Sequence, residues 1–149
     1  MGRVFEKYLM LFIRIWFGAF NLASGTNYYM RYWPWPQLPP SPSADYISAA
    51  EQLHLFDVAK ITEAVVGLML LFNVAVPLGL ILLFPMTTII FIMNAFYSPL
   101  PHIIASGTRN FLFHLYLFAA YAGYYAPLLK LRAEPAPVWR NLSAFKKSF

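Results

Sequence analysis

Four long apolar stretches constrain the fold of this chain more than any other feature of its sequence. They cover residues 8–29, 58–74, 77–97 and 111–129, and each has roughly the 17 to 25 residues with which an α-helix crosses a bilayer. The composition agrees, because 60% of the 149 residues are hydrophobic and 11% are charged, whereas soluble domains carry about 25% charged residues. The sequence therefore predicts an all-α polytopic membrane protein, a transmembrane four-helix bundle in residues 1–130.

The segments between these spans predict two loops and one short helix. Residues 31–43 contain five prolines, which break a helix and leave backbone groups that lipid cannot satisfy. In residues 44–57 the apolar side chains recur at helical spacing, which predicts a short amphipathic helix that lies on the membrane surface or caps the bundle. Residues 98–110 contain two prolines and Gly107, and we predict a loop there.

The basic residues indicate the orientation of the bundle. Four spans place both chain ends on one side of the membrane, and the ends carry most of the positive charge, namely Arg3, Lys7, Lys130, Arg132, Arg140, Lys146 and Lys147. By the positive-inside rule that side is cytoplasmic, so we expect a multi-pass protein of the bacterial inner membrane with a basic cytoplasmic tail over residues 131–149. The net charge of +5 follows from this topology and does not indicate a nucleic-acid partner.

Ionisable groups inside the spans are the candidate functional residues, because burying a charge in lipid is costly. Two such groups are Arg14 and Glu63. They either form an ion pair with each other or each have a separate partner. At the depth of Glu63 the topology also brings polar residues from every span, namely Asn21, Ser24 and Asn27 from the first, Lys60 from the second, Asn94 from the third and His114 from the fourth. We expect this set to line a cavity that opens to the outer face, with His54, His102 and Arg109 near its mouth. The alternative is that these groups only form hydrogen bonds between helices.

Several kinds of chemistry are excluded or not indicated. The chain has no cysteine, which removes disulfides and thiolate metal sites. The three histidines lack a metal-binding spacing, and no motif for nucleophilic catalysis or phosphate binding occurs. We therefore predict no catalytic residue and no metal site.

A set of short motifs resembles the DoxX and DoxX-like family of small four-helix bacterial membrane proteins. They occur in order over about residues 5–130, and they are the run from Arg14 to Gly18, Ser24-Gly25, the run from Glu63 to Gly67, Val76-Pro77, Phe84-Pro85 and Asn94. Arg14, Gly25, Glu63 and Gly67 match family-typical positions. The resemblance implies a four-helix bundle with both ends cytoplasmic, and the family includes the small membrane subunit of a thiosulfate:quinone oxidoreductase.

From the polar residues and the resemblance together we expect an accessory component of a membrane redox system. Its ligand would be a quinone or a similar small amphiphile, held without covalent attachment by Arg14, Asn21, Asn27, Lys60, Glu63, Asn94 and His114. Its partners would be the bilayer, other membrane or redox proteins and further copies of itself, and it would be at most the membrane subunit of an enzyme. Two alternatives remain, a structural subunit of a larger complex and a transporter of a proton or small weak acid with Glu63 as relay.

Overall fold

The computed structural model describes residues 2–34 and 38–129, and within them the chain is helical without a strand. The all-α expectation is confirmed, and the predicted cytoplasmic tail lies outside the described residues. The elements in chain order are α1 (Gly2–Met30), α2 (Pro42–Gln52), α3 (Leu55–Phe72), α4 (Val76–Tyr97), α5 (Pro101–Ala120), α6 (Ala122–Tyr125) and a 3₁₀ turn (Ala126–Leu129).

The short helix after the proline-rich loop has well-defined ends. Ser41 is its N-cap and accepts a hydrogen bond from the Ala44 N–H, and Pro42 occupies the first turn, where its missing N–H is not needed. His54 has a left-handed φ of 57°, which separates α2 from α3. The amphipathic helix predicted over residues 44–57 was therefore too long, because its last turn belongs to α3.

The predicted loop over residues 98–110 was wrong, because most of it is helical. The helix that carries the first half of the predicted span over 111–129 begins ten residues earlier, at Pro101, and ends at Ala120. Pro101 begins α5, since proline suits the first turn of a helix as well as it suits a loop. Gly107 lies inside α5 and faces Asn94, where an ideal Cβ would come within 2.7 Å of the Asn94 Cβ. This glycine thus permits a close approach of α4 and α5, and it does not end a helix.

The four long helices pack in alternating directions around one core. Gly18 and Gly67 bring α1 close to α3, and a turn with left-handed residues at Asn73 and Ala75 reverses the chain between α3 and α4. The α2 helix lies across the end of the bundle where α3 begins and α4 ends, and there Ser43 Oγ donates to the Tyr97 carbonyl at 3.4 Å. The buried apolar cluster consists of Ile13, Phe17, Val66, Leu70, Val76, Leu80, Leu83 and Leu117.

Two helices of the described part are long and apolar enough to cross a membrane. They are α1, over Val4–Met30, and α4, over Val76–Tyr97, and in each case 28% of the most apolar stretch is buried. The core helix of a soluble protein is mostly buried instead. This outward exposure of apolar side chains supports a membrane protein.

Candidate functional site

A cavity of about 170 Å³ lies between the four long helices. It is nearer to the end that α2 covers, because its lining comes from the first half of α3 and α5 and mostly from the second half of α4. Its apolar walls are Phe17, Phe20, Leu83 and Ile90, and its polar lining is Asn21, Ser24, Lys60, Glu63, Thr87, Asn94, Ser106 and Asn110.

A buried ion pair forms the charged side of this cavity. Lys60 and Glu63 are one helical turn apart on α3, so they share a face, and the Lys60 Nζ lies 2.8 Å from Glu63 Oε2. Their side chains are 6% and 4% exposed. The ammonium also donates to Ser24 Oγ at 3.0 Å and lies 5.0 Å from the centre of the Phe56 ring. Such a pair persists in a low-dielectric site because each charge is compensated.

The other carboxylate oxygen of Glu63 is available to a ligand. Oε2 is held by Lys60, whereas Oε1 accepts no hydrogen bond from the residues that the structure describes and is not sealed from the cavity by neighbouring atoms. An ionised carboxylate can only accept hydrogen bonds. This side of the cavity therefore presents a strong, open acceptor.

Two carboxamides on the opposite helices have no partner in the described part of the chain. Asn94 of α4 and Asn110 of α5 both line the cavity, and neither side chain forms a hydrogen bond there. Asn110 is 7% exposed, and its Oδ1 is buried without a partner. An unsatisfied buried polar group costs about 1–3 kcal/mol, so the Asn110 oxygen is left in need of a donor.

Four of the seven predicted ligand residues meet at the cavity, namely Asn21, Lys60, Glu63 and Asn94. His114 lies just behind the lining, fully buried, and supports it. Its Nε2 donates to the Leu80 carbonyl at 3.0 Å, and its Nδ1 lies 3.0 Å from the hydroxyl of Thr87. Because a carbonyl can only accept, Nε2 carries the proton of the neutral ring, and His114 orients Thr87 toward the cavity.

The remaining two predicted residues lie elsewhere. The Arg14 guanidinium donates to Asn73 Oδ1 at the turn between α3 and α4, so Arg14 and Glu63 have separate partners and form no ion pair. Asn27 accepts a hydrogen bond from the Trp33 N–H at 3.0 Å and thereby fixes the chain where it leaves α1. Arg14 is half-buried and Asn27 is buried, and each has its partner in a turn or loop next to a helix.

Of the residues expected near the mouth, Arg109 lies beside the cavity. Its guanidinium lies 4.2 Å from the centre of the Trp16 ring and donates to Ser106 Oγ, a lining group, at 3.4 Å. His54, by contrast, is exposed and pairs with Asp57 in the first turn of α3.

Sequence reasoning missed Asn110 as a lining residue. The predicted loop ended at residue 110, which hid the helical spacing of Gly107, Asn110 and His114 along one face of α5. That spacing of three and four residues was the available signal.

Comparisons of the chain with protein-family models, with curated proteins and with solved structures give no match. The fold and the site define a small all-α protein with an internal, partly charged cavity, and the functional conclusion rests on that cavity.

Proposed function

We propose that this chain is a four-span protein of the bacterial inner membrane whose cavity binds the head group of a quinone or a similar small amphiphile. In this proposal it is an accessory component of a membrane redox system, as its resemblance to the DoxX family suggests, and a partner protein supplies the electrons. Both chain ends lie in the cytoplasm, and the cavity lies in the outer half of the membrane.

The pattern of exposure on α3 supports a membrane crossing by this helix despite its charges. Lys60 and Glu63 are turned into the bundle. The residues that face outward are instead apolar, namely Val58, Ile61, Val65, Leu68 and Phe72. A helix with a polar inner face and an apolar outer face suits lipid when every inner charge is paired.

The turns between helices support the same depth for all four. Only residues 73–75 separate α3 from α4, and only residues 98–100 separate α4 from α5. The 22 residues of α4 extend about 33 Å at 1.5 Å per residue, which matches the hydrocarbon core. If α4 crosses the bilayer, the helices packed along it cross with it.

The size and lining of the cavity support the ligand class. An engineered apolar cavity of about 150 Å³ holds benzene, so a space of about 170 Å³ accommodates one six-membered ring. Aromatic and aliphatic walls with a few fixed polar groups are typical of small-molecule sites. The observation that carries the proposal is the pair of unpartnered carboxamides, Asn94 and Asn110, which face this space together with Glu63.

The test is to purify the full chain in detergent, extract it with organic solvent and identify lipid-soluble molecules by mass spectrometry. We expect a quinone in the extract, and a rise in melting temperature when a short-chain benzoquinone is added. Asn110→Ala should abolish the rise, while Gln52→Ala, a change at an exposed residue of α2, should preserve it. An empty extract together with an unchanged melting temperature would count decisively against the proposal.

A structural subunit is the second candidate function. The first turns of α1 favour it, because Val4, Phe5 and Tyr8 are 61%, 70% and 65% exposed and offer an apolar surface to a neighbouring membrane protein. A native mass measurement that finds only monomers after extraction in mild detergent would remove this candidate.

A further inference from the structure

We infer that the cavity selects a head group that carries a hydroxyl, so that of a quinone pair it binds the reduced quinol more tightly than the oxidised quinone. This inference rests on the proposed function and extends it by naming the oxidation state of the ligand.

The ammonium of the charged side is already engaged within the protein. Lys60 directs its ammonium to Glu63 Oε2 and Ser24 Oγ and lies against the Phe56 ring. The Asn21 amide donates to the Phe17 carbonyl at 2.8 Å. The ammonium therefore meets a ligand carbonyl only by giving up a protein contact. Asn21 keeps a second N–H, and Ser24 and Ser106 keep their hydroxyl protons, so these groups can meet a carbonyl as well as a hydroxyl.

Thr87, the hydroxyl nearest to His114, is occupied in the same way. Its Oγ1 lies 3.0 Å from the Leu83 carbonyl and 3.0 Å from His114 Nδ1, and a hydroxyl has a single proton to donate. That proton goes to one of these two acceptors inside the protein.

The carboxylate of Glu63 is therefore the group that discriminates between ligands. Its free Oε1 requires a donor, and a quinol hydroxyl supplies one, whereas a quinone carbonyl brings a second acceptor against a negative charge. Asn94 and Asn110 each contain a donor and an acceptor, so they serve either form and do not decide the preference.

The size of the preference follows from the strength of the bond. A hydrogen bond between a hydroxyl and a carboxylate is short and about twice as strong as a neutral one, and the net gain of a bond to a charged group corresponds to about tenfold or more in affinity. We expect the quinol to bind at least about tenfold more tightly than the quinone.

The experiment measures three probes by anaerobic calorimetry on the full chain in lipid nanodiscs. The probes are a benzoquinone with a ten-carbon tail, its quinol and the dimethyl ether of that quinol, which has the same ring without a donor. The quinol should bind at least about tenfold more tightly than both others. If the quinone or the ether binds as tightly as the quinol, the inference is overturned and the proposed function stands. If none of the three binds, the proposed function fails.

A double variant tests the role of Glu63. Glu63→Gln alone leaves the Lys60 charge buried without compensation, which destabilises the fold, so Lys60→Met is combined with it. The double variant should bind quinol and quinone within about threefold of each other, while Asp45→Asn, at an exposed carboxylate on α2, should keep the full preference. A double variant that retains the tenfold preference would refute the inference. If that variant does not fold, the three probes on the unaltered chain still decide.

Discussion

Gly25→Ala should loosen the contact between α1 and α3 and weaken the site with it. An ideal Cβ at Gly25 would lie 2.5 Å from the Lys60 carbonyl oxygen and 2.7 Å from the Ala64 nitrogen. Both atoms belong to the backbone of α3, which cannot rotate away as a side chain can. The helices must separate by about 1 Å to restore ordinary contact near 3.5 Å.

Two effects of this substitution oppose each other. Overpacking costs about 1–3 kcal/mol, whereas alanine in place of glycine inside a helix stabilises by about 0.5–1 kcal/mol. Overpacking wins, and we expect a net loss of about 1–2 kcal/mol. Because Ser24 and Lys60 flank the contact, the separation also stretches the 3.0 Å bond between the Lys60 ammonium and Ser24 Oγ.

The assay is unfolding in a titration of sodium dodecyl sulfate, followed by the intrinsic fluorescence of the four tryptophans. Gly123→Ala is the matched control, since a Cβ there meets nothing within 4 Å and should be neutral or slightly stabilising. If Gly25→Ala unfolds at the same denaturant concentration as the control, the close crossing of α1 and α3 is wrong.

Three further predictions concern the surroundings of the cavity. Gly107→Ala should push Asn94 out of place and weaken quinol binding about tenfold in calorimetry, as the loss of one hydrogen bond implies; an unchanged affinity would remove Asn94 from the site. His114→Phe should remove the two hydrogen bonds of the ring, with the Leu80 carbonyl and the Thr87 hydroxyl, and cost about 1–3 kcal/mol in the detergent titration, and a variant as stable as the unaltered chain would contradict this bonding. Arg14→Ala should change quinol affinity by less than about twofold, which is about 0.4 kcal/mol, because Arg14 lies outside the cavity lining; a large loss would show that the two ends of the bundle are coupled.

The lengths of the apolar stretches were sufficient to predict α3 and α4. α3 and α4 begin and end within three residues of the predicted spans, because long apolar runs with few breakers have no alternative in lipid. The beginning of α5 was not predictable in the same way. Proline both ends helices and begins them, and only the packing of Gly107 against Asn94 distinguishes a helix from a loop there.

The sequence was sufficient to predict the depth at which the site residues lie in the bundle, but not which of their side chains pair with each other. The topology alone placed Lys60, Glu63 and Asn94 at one level. Which partner each charge takes depends on side-chain direction, and the one-turn spacing of Lys60 and Glu63 gives them a closer partner in each other than Arg14 offers. Predicting Asn110 as a lining residue required the correct start of α5, so its omission follows from the loop wrongly predicted over residues 98–110.

The central claim is that α3 crosses the bilayer with its charges turned inward, and spin-label accessibility along this helix tests it most directly. The chain contains no cysteine, so single cysteines at Ile61, Val65, Leu68, Val66 and Leu70 can each carry one label in lipid vesicles. We predict high collision rates with oxygen and low rates with a water-soluble nickel complex at the first three positions, and low rates with both at the last two. High rates with the nickel complex at Val65 and Leu68 would place α3 in water and contradict the four-span account.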